Sequence, residues 1–381
     1  MNAAGNEIVL CNSNSFLKFP DSMKLFSKGA VVYPKNGGAV FTNKKRILGQ
    51  DSLVDLNTGS YTPFSQMDEK FFYYLFSTVD FQKYYKGTAL PTVDMDAVQE
   101  IVWALPPLAE QKRIVTAIEL SLPLIDKYEE THSQLSRLQN SFPEALKKSI
   151  LQEAVQGKLV PQDPSDEPAE ALLGRIRAEK QRLIKEGKIK KDKHESVIFR
   201  RDNSHYEKLD GVERCIDDEL PFEIPENWCW VRFGTALVNR DAERIPLSVA
   251  QREKLQKKFD YYGASGVIDK VDRYLFDKPL LLIGEDGANL LLRSKPIAFI
   301  ASGQYWVNNH AHVIDAVAGV DLRYIALFIN AINLAPYVTG TAQPKMNQEK
   351  LNSILVPMPP TTGQRRIVSA FEEIAAIIQQ F

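Results

Sequence analysis

Gly87–Glu119 reads GTALPTVDMDAVQEIVWALPPLAEQKRIVTAIE, and Gly340–Glu372 reads GTAQPKMNQEKLNSILVPMPPTTGQRRIVSAFE. The two stretches align without a gap at a spacing of 253 positions. They match at Gly87/Gly340, Thr88/Thr341, Ala89/Ala342, Pro91/Pro344, Pro106/Pro359, Pro107/Pro360, Gln111/Gln364, Arg113/Arg366, Ile114/Ile367 and Val115/Val368. Solenoid repeats recur every ~20–50 residues, so a period this long means two copies of a whole domain. Upstream the likeness is weaker. Lys28–Gly37 (KGAVVYPKNG) parallels Lys278–Gly287 (KPLLLIGEDG), each an apolar run entering a glycine turn, and Phe71–Phe76 parallels Tyr324–Ile329.

Both copies carry the same order of elements. Apolar runs bounded by Gly and Asn predict strands at Ala30–Tyr33, Leu280–Ile283, Ile297–Ile300 and Val313–Asp315. A helix, the Gly-Thr-Ala loop and a short apolar strand follow, the last at Ile101–Leu105 and Ile354–Met358. Pro-Pro then opens a further helix, where a missing N–H costs nothing. The expectation is an α+β fold with a helix leaving each domain, its exit fixed by Gln111 and Arg113 in one copy and by Gln364 and Arg366 in the other.

Between the copies, Ile114, Val115, Ile118, Leu122, Ile125, Tyr128, Leu135 and Leu138 form a narrow apolar stripe at helical spacing. Pro123 predicts a kink, and Leu108–Asn140 predicts a spacer of roughly 50 Å at 1.5 Å per residue. Ser141-Phe142-Pro143-Glu144 has the pattern of a capping box and predicts a second helix, which Gly157 stops. PQDPSDEP at 161–168 reads as a linker. Arg175–Arg201 then sets eleven Lys or Arg against four acids, either a solvated face or a run lying along phosphates. The expected partition is 1–107 for a first domain that lacks its opening strands, 108–160 for the helical spacer, and 161–219 for the linker and basic helix. A second domain at 220–358 and the start of a truncated C-terminal helix at 359–381 complete it.

Composition narrows the class. The chain is 44% hydrophobic and 25% charged, ordinary for a globular protein. With no apolar run of membrane-spanning length and no basic-then-apolar leader, a cytoplasmic protein is expected. Cys11, Cys215 and Cys229 form no Cys-x-x-Cys pair, so neither a disulfide framework nor a zinc site is indicated. At a net charge of −1, any contact with nucleic acid must be local.

Ile150–Lys193 (ILQEAVQGKLVPQDPSDEPAEALLGRIRAEKQRLIKEGKIKKDK) resembles the central region of type I restriction-modification DNA specificity subunits. So do LPFEIPENWCWVRFG at 220–234, YYGASGVID at 261–269, LLIGEDGANL at 281–290, YWVNNHAHVI at 305–314, and the paired LPPLAEQKRIV and MPPTTGQRRIV. The resemblance implies two tandem target-recognition domains, each reading half of a split site in double-stranded DNA, joined by long helices that pack as an antiparallel coiled coil. It also implies docking of modification subunits, which bind S-adenosylmethionine and methylate adenine, and of restriction subunits, which use ATP and Mg to translocate and cleave DNA. No cofactor or metal is expected on this chain, and no catalysis. A competing expectation is a truncated or recombination-cassette adaptor that binds modification subunits without full DNA specificity.

Reading base edges takes Arg, Lys, Asn, Gln or Ser side chains on protruding loops. The candidates are Arg240, Arg244, Arg252, Ser265, Asn308, Asn309, His310, Thr341, Gln343 and Lys345 in the second domain, with Lys44 and Lys45 in the first. In the first domain Leu90 and Thr92 stand where the second has Gln343 and Lys345. An enzymatic reading finds little support. The Pro-Pro pairs lack the preceding amide or acid and the following aromatic of an adenine methyltransferase, and no Gly-x4-Gly-Lys-Ser/Thr loop occurs. Glu285-Asp286 beside Gly287 reads as a turn rather than a metal-binding pair.

Overall fold

A computed structural model of the chain describes residues 5–13, 23–192, 194, 196–340 and 342–380. It divides into two compact units, Met1–Arg137 and Leu138–Phe381.

In the first unit, the uninterrupted apolar run Val31–Pro34 is the buried inner strand of a four-stranded sheet. Arg46–Leu48 flanks it on one side, with Val9–Leu10 beyond, and Thr58–Tyr61 flanks it on the other. Covered on both faces, such a strand shows no polar alternation. The helix Glu69–Ser77, capped by the Asp68 carboxylate, lays Phe72, Tyr73 and Phe76 against Val31 and Tyr33.

The second unit repeats this plan. Leu280–Gly284 is the buried inner strand, between Ala298–Ala301 and Ala311–Asp315, with Val238–Asn239 beyond the latter. The helix Leu322–Ala331, capped by Asp321, buries Tyr324, Ile325, Phe328 and Ile329. A second sheet joins Gly266–Val271, Phe259–Gly263 and Tyr305–Val307.

The two glutamines singled out by the repeat hold the same place in both units. Gln111 accepts from the Asp68 amide at 2.8 Å and donates to the Pro106 carbonyl at 2.8 Å. Gln364 accepts from the Asp321 amide at 2.8 Å and donates to the Pro359 carbonyl at 3.0 Å. With exposures of 1% and 0%, each ties the departing helix to the capped end of its unit's core helix. The arginines differ. Arg113 is exposed and pairs with Glu110 one turn away, whereas Arg366 grips Asp166 of the 161–168 segment at 3.0 Å.

Three expectations change. Leu108–Val155 is one 48-residue helix, with no second start at Ser141. The Ser141 hydroxyl donates back to the Leu138 carbonyl instead of capping. Pro123 and Pro143 free the carbonyls of Glu119 and Gln139, both exposed residues, so water can take those bonds. The helix does end just before Gly157, which adopts φ 74°.

Second, Ile101–Leu105 is not a strand, although its counterpart Leu355–Met358 pairs antiparallel with Cys229–Arg232. A strand needs a neighbour for its backbone groups, and among the described residues none lies beside 101–105.

Third, the basic stretch does present a solvated face, but on a helix whose other face is core. The helix Ala169–Lys185 buries Leu172, Leu173 and Ile176 in the second unit's core. Lys180, itself buried, pairs with Asp192 at 2.7 Å and donates to the carbonyls of Gly234 and Leu237. A three-stranded meander follows, Ser196–Arg201, Ser204–Leu209 and Val212–Cys215. Its centre is Glu207, fully buried, which accepts from Ser196 at 2.7 Å, from Arg214 at 2.8 Å and from two nitrogens of Arg232 at 2.8 and 2.7 Å. Burial alone would raise this carboxyl, but those donors override it and hold the pKa at about 2.

Candidate nucleic-acid interface

The second unit gathers polar loops at one end of its inner strand. Past Gly284 the chain turns through Glu285-Asp286-Gly287, with Gly287 at φ 107°, a conformation that favours glycine. Three backbone bonds secure neighbouring loops to this turn: Glu285 N–H to the His310 carbonyl at 2.9 Å, Gly287 N–H to Pro344 at 2.9 Å, and Met346 N–H to Glu285 at 2.8 Å. Thr339 and Lys345 close the base of the Gly-Thr-Ala-Gln-Pro loop by exchanging two backbone bonds of 2.8 Å. The tip of the Phe259–Gly263/Gly266–Val271 hairpin also arrives there. A Cβ on Gly284 would stand 2.9 Å from the Ala264 carbonyl, so only glycine permits the approach.

A charged network holds this end in place. Arg244 donates to Glu285 at 2.8 Å and to the Ala311 carbonyl at 2.6 Å, and Lys345 reaches Glu285 at 3.2 Å. His312 places its ring nitrogens 2.6 Å from Asp241 and 2.8 Å from the Met346 carbonyl. Burial would raise the Asp241 carboxyl, yet the His312 hydrogen bond and charge, with Arg244 close by, keep it below the usual range. Ligand atoms of Asp241, Glu285 and His312 lie within 4.8 Å of one another. Arg244 and Lys345 supply the positive charge these carboxylates need, so the cluster reads as scaffold rather than metal centre.

Of the sequence candidates, Ser265, Asn309, His310, Gln343 and Lys345 are exposed at this end. His310 is oriented by Asp286 at 2.8 Å. Asn308 is buried, and its side-chain oxygen accepts from the His310 amide at 2.8 Å, which makes it the former of the turn. Thr341 lies outside the described residues.

The three arginine candidates are engaged by acids of their own unit. Arg240 binds Asp315 at 2.6 Å and Glu243 at 2.8 Å, so it braces a strand end. Arg252 lies over the Tyr261 ring at 4.7 Å and beside Asp269 at 3.0 Å. Arg244 is largely enclosed by its network.

In the first unit Lys45 is not a surface residue. At 2% exposure it donates to the Val79 carbonyl at 2.7 Å and to Asn43 at 2.8 Å, with the Phe81 ring 4.1 Å away. Burial lowers its pKa to about 8, against a smaller opposing pull from Asp80. Lys44 beside it is partly exposed. The sequence reading missed Asp241 and Glu285 as part of the framework that sets the loops. Of these, only the Glu285-Asp286-Gly287 turn carried a local signal.

The exposed set offers amides, a hydroxyl, an imidazole and an ammonium on loops with fixed backbones. These groups can meet base edges and phosphates.

Residues 241–380 match the family described as Type I restriction modification DNA specificity domain. The specificity subunit of the type I restriction enzyme EcoEI of Escherichia coli is 30% identical over 274 residues, which cover 62% of this chain and 41% of that protein. The EcoAI specificity subunit, also of Escherichia coli, is 27% identical over 328 residues, 71% of this chain and 52% of that protein. The chain thus spans about half the length of the curated relatives it matches. The crystal structure of the HsdS subunit from Thermoanaerobacter tengcongensis aligns with a TM-score of 0.48 at 16% identity, over 93% of this chain and 76% of that one.

Proposed function

We propose that this chain selects the DNA sequence on which a type I restriction-modification assembly acts, and that it performs no chemistry itself. In this reading, double-stranded DNA meets the loops bearing Ser265, Asn309, His310, Gln343 and Lys345. Modification subunits holding S-adenosylmethionine methylate adenine at the chosen site, and restriction subunits using ATP and Mg cleave elsewhere. The assembly works in the cytoplasm, and no cofactor resides on this chain.

The observation that carries the proposal is the convergence of five exposed polar residues from three separate loops at one strand end, within the stretch that matches the specificity-domain family. Arg244, Glu285, Asp241 and His312 support it by fixing those loops before DNA arrives, which spares the ordering cost at binding.

Adenine-methylation mapping of cells with and without the chain, beside its modification partner, tests the function. The expected result is a set of methylated sites sharing one sequence that vanishes without the chain. Identical maps in both strains contradict it. Purified chain alone should transfer no methyl group.

A further inference from the structure

His310 and His312 stand two residues apart and are held in different ways. His312 is 1% exposed, and both its ring nitrogens are engaged, one 2.6 Å from Asp241 and the other 2.8 Å from the Met346 carbonyl. The His310 side chain is 48% exposed, yet the residue is fixed at three points. Its amide donates to Asn308 Oδ1 at 2.8 Å, and its carbonyl accepts from the Glu285 amide at 2.9 Å. Its Nδ1 lies 3.0 and 2.8 Å from the two carboxylate oxygens of Asp286. Among the described residues, Nε2 is the one polar atom of His310 without a partner.

The Asp286 side chain is 17% exposed, and among the described residues its carboxylate bonds to His310 alone. An exposed pair of this kind returns little stability, because holding a side chain still costs rotamer freedom and water screens the charge. Fixing the ring serves whatever meets the free nitrogen, since the ordering is done before binding. An ionised carboxylate only accepts, so the Nδ1 that faces it carries the hydrogen. In the neutral ring Nε2 is then a lone pair. Among the base edges of the major groove, the donors are the exocyclic amino groups of adenine and cytosine, whereas guanine N7 and O6 and thymine O4 accept. An Nε2 acceptor suits an amino group and meets the guanine or thymine edge lone pair to lone pair.

We propose that Asp286 is a positioning residue that sets specificity through His310: by keeping the hydrogen on Nδ1 it presents Nε2 as an acceptor for the exocyclic amino group of one adenine or cytosine in the DNA site. The inference rests on the reading of this end as the DNA contact, and adds the residue that fixes the hydrogen-bonding sense of one such contact.

Ring-nitrogen NMR of the full chain in mildly alkaline buffer, with the His310 signal assigned by its loss in His310→Ala, should show the hydrogen on Nδ1 in the wild type and its redistribution in Asp286→Ala. Selection from a pool of randomised duplexes should then give one enriched sequence for the wild type. Asp286→Ala and His310→Ala should each lower discrimination by about five- to tenfold at one and the same position, and the double variant should lose no more. At that position, a base analogue carrying hydrogen in place of the amino group should cost the wild type the same factor and cost Asp286→Ala nothing. A role confined to the fold would spread the loss over the whole site and leave the analogue without effect. Hydrogen on Nε2 in the wild type, an analogue without cost, or variants that select as the wild type does would each overturn the inference while leaving the chain a reader of DNA. A wild type that enriches no sequence overturns both the inference and the reading beneath it.

Discussion

The loop Gly87–Pro91 and its counterpart Gly340–Pro344 are built alike and equipped differently. Lys86 pairs with Thr92 across the base of the first, as Thr339 pairs with Lys345 across the second. Gly87 and Gly340 adopt φ 86° and 84°, and a Cβ on either would strike the carbonyl three residues ahead. The first loop hangs from Lys35-Asn36-Gly37 through Val93 N–H to Lys35 and Gly37 N–H to Pro91, and the second hangs from Glu285-Asp286-Gly287 by the same two bonds. What changes is the cargo. Leu90 stands for Gln343, Thr92 for Lys345 and Lys35 for Glu285. A duplicated backbone therefore carries a polar, acid-braced loop in one unit and an apolar-tipped one in the other. The frame is set by glycine and main-chain bonds, and the contact chemistry is free to diverge.

The cores differ in the same way, and the sharpest way to break the comparison is at Glu207. The second unit encloses this carboxylate among Ser196, Arg214 and Arg232, and the first unit has no counterpart among its described residues. Glu207→Ala removes the buried acid that Arg214 and Arg232 share, leaving Arg232 only Glu219, and should destabilise the second unit by about 3 kcal/mol, the low end for a broken buried pair. Native-state hydrogen exchange should show faster opening in 196–358 and none in 28–104. An equal loss in both units would show that they unfold as one.

Gln111→Ala and Gln364→Ala should resemble each other. Each strands a partly buried amide and the carbonyl its glutamine held, so each should cost about 1–2 kcal/mol, confined to its own unit. A loss in only one of them would mean that the shared geometry does not carry shared energy.

The pH responses should share one sense, stability rising with pH, but fall in separate windows. Glu207 titrates at about 2 instead of 4.5, so its contribution is complete above pH 4.5 and fades as pH falls toward 2, by about 2 kcal/mol after allowance for solvent screening. Lys45 titrates at about 8 instead of 10.5, so the unfolded chain binds more protons above pH 8. The first unit should therefore gain about 1–2 kcal/mol between pH 8 and 9.5, below the tyrosine range. Segment-resolved exchange across these pH windows would expose a wrong sign in either unit.

Much of the frame was legible because it is local and repeated. The 33-residue match located Gln111 and Gln364, and the apolar runs at 30–33 and 280–283 marked the inner strands. What sequence reading lost depends on distant partners. Arg240 and Arg252 looked free because Asp315 and the Tyr261 ring that engage them lie far along the chain or on another element. Lys44 and Lys45 looked alike as candidate contacts, yet side chains alternate here, and Lys45 enters the same interior as Ile47. Ile101–Leu105 has strand composition without a neighbour to pair with. Ser141–Glu144 carries a helix-start signature inside a helix that continues through it.

The most direct test is sequence-selective DNA binding by the purified chain, measured over a range of salt for the wild type and for Gln343→Ala and Lys345→Ala. Reading by the second unit's loops predicts a logarithm of affinity that falls linearly with log salt, a preference for one sequence, and loss of that preference in both variants. Equal affinity for all sequences in the wild type, or a preference untouched by both substitutions, would contradict it.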